Sequence, residues 1–149
     1  NGRRTRPSPF SHVRYLTEAP LSDFAVSRAR RKTQLVRPIL KVFDVAVRMR
    51  PFYMGDFYPL TDETSAGDDV WCAWQCGRPD LKAGFAIFFR RGAAPEESRA
   101  FKLGGVEPGA TYQVESYGGS TKAVKGSELG SLAVKLAPRS FHLIFYRKQ

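Results

Sequence analysis

Long apolar runs are missing from this chain. The longest uncharged apolar stretch, Gly84 to Phe89, is six residues long, whereas a membrane-crossing helix needs about 20. No membrane partner is therefore expected. Cysteine is nearly absent, with only Cys72 and Cys76. If both lie on one strand, their Cα atoms stand about 13 Å apart at about 3.3 Å per residue, beyond the roughly 7 Å that a disulfide spans. Two small apolar side chains on one strand face are the expectation, and the pair does not fix the compartment. Histidine is equally scarce, at His12 and His142, and with the cysteines it matches no zinc spacing. No metal and no cofactor is expected. A phosphate loop is absent, and Gly104-Gly105 and Gly118-Gly119 read as turns. An apolar leader is absent too: the chain opens Asn1-Gly2-Arg3-Arg4, without an initiating Met. It reads as a fragment or a processed product, with the cytoplasm favoured as its compartment.

What is present suits one ordinary domain with an arm. The 149 residues are 42% apolar and 13% aromatic, enough for a core and against global disorder. The formal charge of +10 is uneven. Residues 1–50 hold 12 Lys/Arg against 3 Asp/Glu, and residues 51–149 hold 12 against 11. A basic arm can meet nucleic acid or an acidic surface, but a solvated end is the plainer reading. The even balance beyond residue 50 disfavours nucleic acid as a partner of the remainder.

Pattern divides the chain in two. Residues 1–20 carry Arg3, Arg4, Arg6 and Arg14 among prolines without period, and Leu21 to Lys32 is a weak helix candidate. Pro38 to Arg50 is a better one. Pro38 suits the first helical position, and Arg37, Lys41, Asp44 and Arg48 form one polar stripe. The remaining apolar face is too broad for a lone surface helix and calls for a large partner surface. Pro51 should end it. From Val70 onward short strands are predicted at Val70–Gln75, Gly84–Arg90, Arg99–Leu103, Thr111–Ser116, Thr121–Lys125, Leu132–Leu136 and Ser140–Tyr146. Turn residues separate them. The expectation is a mainly β protein: an antiparallel β-sandwich of about seven strands preceded by a helical, basic N-terminal segment. Ser127-Glu128-Leu129 reads as a single helical turn.

Little of this looks catalytic. His142 has no partner motif and reads as a structural histidine. Asp62, Glu63, Asp68 and Asp69 fall in a polar stretch that reads as an exposed loop. Asp56, between Gly55 and Phe57-Tyr58, is a candidate for a hydrogen-bonded structural carboxylate. Tyr53, Tyr58, Trp71 and Trp74 could stack on the apolar face of a sugar ring. Trp71 and Trp74 point to opposite faces of a strand, so at most one would face solvent. Tyr53, Asp56, Tyr58, Trp71 and Trp74 are thus the candidate carbohydrate-binding residues, and no catalytic residue is assigned.

A set of motifs resembles a known family. Gly55-Asp56-Phe57-Tyr58-Pro59-Leu60-Thr61, then Asp68-Asp69-Val70-Trp71-Cys72-Ala73-Trp74-Gln75, Arg78-Pro79-Asp80-Leu81 and Phe88-Phe89-Arg90-Arg91 resemble the C-terminal part of bacterial alpha-galactosidase-like enzymes of glycoside hydrolase family 36 and its relatives. There a (β/α)8 barrel ends in a helix, and an aromatic junction leads into an antiparallel sandwich. The similarity covers about residues 38–148 and is strongest over 50–112. It implies three regions: a basic irregular or helical arm over 1–37, the last barrel helix and junction over 38–61, and the sandwich over 62–149. Residues 1–32 match the family poorly. The family's two catalytic aspartates sit at barrel strand ends, and no residue here matches their motifs. The resemblance implies a non-catalytic C-terminal accessory domain of a retaining α-galactosidase, acting in carbohydrate metabolism through its parent enzyme and inactive alone. Its partner would be the upstream catalytic barrel, with a homo-oligomer and carbohydrate as further candidates. The alternatives are a free-standing carbohydrate-binding or protein-interaction β-sandwich and, third, a nucleic-acid binder working through the basic arm.

Overall fold

The computed structural model describes residues 40–61 and 67–149. The expectations for the basic arm, the helix over 21–32 and the loop carboxylates Asp62 and Glu63 lie outside these residues. The chain divides into two units between Val45 and Ala46, and every strand belongs to the second.

Helix α1 runs over residues 40–49. At Arg50 it tightens into a 3-10 turn, Arg50–Met54, with Pro51 in its first positions. The proline ring bars a continued α-helix because it clashes with the preceding turn and lacks an N–H. Eight strands follow: β1 (Asp56–Pro59), β2 (Trp71–Arg78), β3 (Ala83–Arg90), β4 (Ser98–Phe101), β5 (Thr111–Ser116), β6 (Thr121–Lys125), β7 (Leu132–Lys135) and β8 (Ser140–Lys148). Seven of them lie where the sequence pattern placed strands. The eighth, β1, falls inside the expected junction. Its four residues, Asp-Phe-Tyr-Pro, show no clean alternation, so only pairing with β2 reveals it.

All pairings are antiparallel, and the strands form two sheets. One has six strands in the order β1-β2-β3-β8-β5-β6, and β4 pairs with β7 in the other. The continuous apolar run of β3 is explained by this order. β3 lies between β2 and β8, and seven of its eight residues are buried. The last strand, β8, lies between β3 and β5, so the sheet closes only when the chain end arrives.

The core lies between the sheets. Trp71, Phe88, Tyr112, Val114, Ile144 and Tyr146 of the large sheet meet Phe101 of β4, Val134 of β7 and Leu129. Leu129 comes from α2, a single helical turn over Gly126–Leu129, as the sequence suggested. Two polar side chains fasten the layers. Trp71 Nε1–H donates to the Glu96 carbonyl at 3.1 Å. The buried Arg90 guanidinium donates to the carbonyls of Ala94 and Leu136 at 2.8 to 3.2 Å. A guanidinium is tolerated there because carbonyl oxygens take up its N–H groups.

The outer face of the large sheet is apolar as well. Phe85 is buried against Phe52 and Tyr53 of the 3-10 turn, with ring centroids 6.1 and 5.6 Å away. Arg48 lays its guanidinium 4.1 Å from the Phe145 ring centroid and makes a two-pronged bond to Glu115, at 2.9 and 2.8 Å. Such a cation–aromatic and fork-to-carboxylate arrangement suits arginine rather than lysine. On α1 the apolar side chains of Leu40, Val42, Phe43 and Val47 are exposed.

Candidate functional site

At one end of the sheet, β1 and the β2–β3 turn border a cleft of about 110 Å3. Strand alternation puts Asp56 and Tyr58 on the same side of β1, and both line it. The Tyr58 hydroxyl donates to Asp56 Oδ2 at 3.4 Å. Partial burial and the neighbouring carboxylate raise the Tyr58 pKa, keeping the phenol protonated.

The Tyr58 ring lies against the turn Gly104-Gly105. A Cβ on Gly104 would overlap that ring, and Gly105 has φ +65°, which side chains other than glycine avoid. Gln75 holds the turn in place. It is fully buried, and its Nε2 donates to the Gly104 carbonyl at 2.8 Å while its Oε1 accepts the Gly104 N–H at 2.8 Å. Nε2 also donates to the Tyr146 hydroxyl at 2.6 Å. Burial pushes the Tyr146 phenol up to about 12, so it is neutral under ordinary conditions. Tyr112 meets Tyr146 edge to face, and its hydroxyl accepts the Glu107 N–H at 2.9 Å. The floor is therefore three tyrosines braced by one amide.

The rim is charged but balanced. Lys148 donates to Glu107 at 2.6 Å and holds that carboxyl below its ordinary range. Arg78 grips Asp80 with two bonds, at 2.7 and 2.6 Å, and also donates to the Pro51 carbonyl at 3.0 Å. A glycoside hydrolase needs one carboxylic acid kept protonated to deliver a proton to the leaving group. Glu107 is driven the opposite way by Lys148. The cleft offers hydroxyls, a carboxylate pair and ammonium groups around aromatic rings.

No protein-family model matches the chain. No curated protein matches it either. Solved structures do. The galactosidase domain of an alpha-galactosidase–sucrose kinase, AgaSK, aligns with a TM-score of 0.56 at 17% identity, over 80% of this chain and 16% of its own. A variant of the GH36 alpha-galactosidase AgaA from Geobacillus stearothermophilus, in complex with raffinose, aligns at 0.55 with 18% identity, over 78% of this chain and 16% of its own. The GH36 alpha-galactosidase AgaB from the same organism gives 0.52 with 23% identity and the same coverages, 78% and 16%. This chain shares its fold with part of the α-galactosidases. It spans about 16% of the length of those galactosidase chains.

Within this galactosidase-type fold, the other three candidate residues lie away from the cleft. Trp71 is 2% exposed and packs on Phe101 in the core, so neither ring face is open to a ligand. Trp74 points to the opposite face, half-buried, and stacks on Phe89 with centroids 5.5 Å apart. That contact continues through Phe141 to Tyr117. Tyr53 is 56% exposed and sets its ring edge-on to Phe85. Only Asp56 and Tyr58 are brought together. Sequence reasoning missed Gln75, Tyr112 and Tyr146. Their side chains lie on the inner face by alternation, but no local signal says that a distant glycine turn comes to meet them. The two cysteines are free, as their spacing predicted.

Proposed function

We propose that this chain is a non-catalytic accessory domain of a glycoside hydrolase resembling α-galactosidase. It acts in carbohydrate metabolism through its parent enzyme. The observation that carries this reading is a fold shared with α-galactosidases over 78–80% of this chain but only 16% of theirs. The paired state of Glu107 supports it, since a carboxylate held ionised by lysine is a poor proton donor. In this reading residues 38–61 connect an upstream catalytic barrel to the sandwich of residues 62–149, with β1 of the connection built into the sheet. The catalytic carboxylates would belong to the barrel. The test is hydrolysis of a chromogenic α-galactoside by this chain and by the full-length product of its gene. Activity in the full-length product alone is expected. Activity in this chain, or none in either, would sink the proposal.

The cleft favours a second reading, a carbohydrate-binding sandwich, because Asp56 and Tyr58 share one concave site with two further tyrosines. Galactose or raffinose titrated into this chain should then shift the tyrosine signals, and Tyr58→Ala should abolish the shift. An unchanged response in Tyr58→Ala would remove this reading.

A further inference from the structure

The two-stranded sheet is too small to cover the inner face of its six-stranded neighbour. On the β6 side a cavity of about 550 Å3 opens between β5, β6 and β8 on one wall and α2 and β7 on the other. Its floor is aliphatic: Val114, Val124, Leu129, Val134 and Ile144 are buried there. Apart from the His142 imidazole, no aromatic side chain lines it.

The wall also carries polar groups. Lys122 pairs with Val114 and Ser116 with Ile144 across the ladders, so all four share the inner face. His142 lies two residues before Ile144 on that same face. The Lys122 charge reaches His142 and, with burial as the larger cause, lowers its pKa. The imidazole therefore offers a hydrogen bond rather than a second charge. Two other charged side chains stand at the rim. Glu128 accepts the Lys125 N–H at 3.3 Å, and Lys135 pairs with Glu97 at 3.3 Å. Among the described residues Lys122 has no ion-pair partner.

We propose that this cavity binds a small monocarboxylate with an aliphatic body, its carboxylate on Lys122 beside Ser116 and His142 and its chain along the Val/Leu/Ile floor. The one ammonium on this wall can meet one carboxylate, whereas a phosphate dianion would bring a second negative charge near Glu128. The aliphatic floor offers contact area to a hydrocarbon chain. It gives a sugar ring no aromatic face. The site lies apart from the Tyr58 cleft and does not depend on the accessory-domain reading.

The test is calorimetric titration of the whole chain with decanoate below its micelle concentration, beside decanol as the neutral analogue. Saturable binding at one site is expected, with decanol weaker by about tenfold. Lys122→Gln should weaken decanoate by about tenfold and leave decanol unchanged. Ser116→Trp, on the cavity wall, should block both ligands. Unchanged unfolding midpoints will show that each variant folds. No saturable decanoate binding, equal affinity for decanol, or a decanoate affinity indifferent to Lys122→Gln would each overturn the proposal.

Discussion

At the scale of single residues, Gln75 joins a distant turn to the floor of the cleft. One buried amide satisfies both the N–H and the carbonyl of Gly104 and also bonds the Tyr146 hydroxyl. Gln75→Leu keeps most of the volume but removes those partners. Each buried polar group left unpaired costs about 1–3 kcal/mol. The variant should therefore lose about 2 kcal/mol or more of unfolding free energy, read from the denaturant midpoint, and the Gly104-Gly105 turn should leave the Tyr58 ring. A loss under about 0.5 kcal/mol would show that water replaces the amide without penalty. Trp71 and Trp74 make a second point at this scale. Three residues apart on one strand, they face opposite layers, and only the second sheet determines which becomes core.

At the scale of elements, the Arg48–Glu115 fork ties the end of α1 to β5. The hydrogen bond from Arg48 is the largest cause of the lowered Glu115 pKa. A carboxyl with a depressed folded pKa contributes stability above its unfolded pKa, and that contribution fades as pH falls through the folded value. Both partners are part-exposed, so the effect is worth at most about 1 kcal/mol. Compared with Glu115→Gln, the unmodified chain should be more stable near neutrality, and the gap should close as the pH drops below the ordinary glutamate value of 4.5. Urea midpoints measured across that range decide the matter. A gap independent of pH would mean that packing of Arg48 on Phe145, rather than the ion pair, holds the helix end.

At the scale of the whole molecule, exposed apolar side chains stand out among the described residues. Phe43 and Val47 on α1 are more than 60% exposed, and Phe141 and Tyr117 end the aromatic row on the outer face. Large exposed apolar patches mark interfaces or drive association. Sedimentation of this chain alone should show concentration-dependent self-association, and the double substitution Phe43→Glu with Val47→Glu should lower it without shifting the unfolding midpoint. A monodisperse, concentration-independent boundary for the unmodified chain would contradict this.

Short apolar segments along 70–148, several with alternating polarity and all separated by turn residues, determined the mainly β, antiparallel fold and the places of seven strands, because side chains in a strand face opposite layers in turn and short turns join antiparallel neighbours. Spacing alone kept Cys72 and Cys76 apart, and the proline at 51 ended the helix. Motifs in the sequence pointed to the galactosidase fold. Tertiary structure alone decided the rest. It made β1 a strand through pairing with β2, placed β8 between β3 and β5, and brought Gly104-Gly105 under Tyr58 through an amide 29 residues away. Among the described residues it also left part of the inner face beside β6 uncovered, since the extent of the second sheet depends on which strands reach it. These features arise from contacts between residues distant along the chain, and no local pattern of polarity encodes which distant segments will meet.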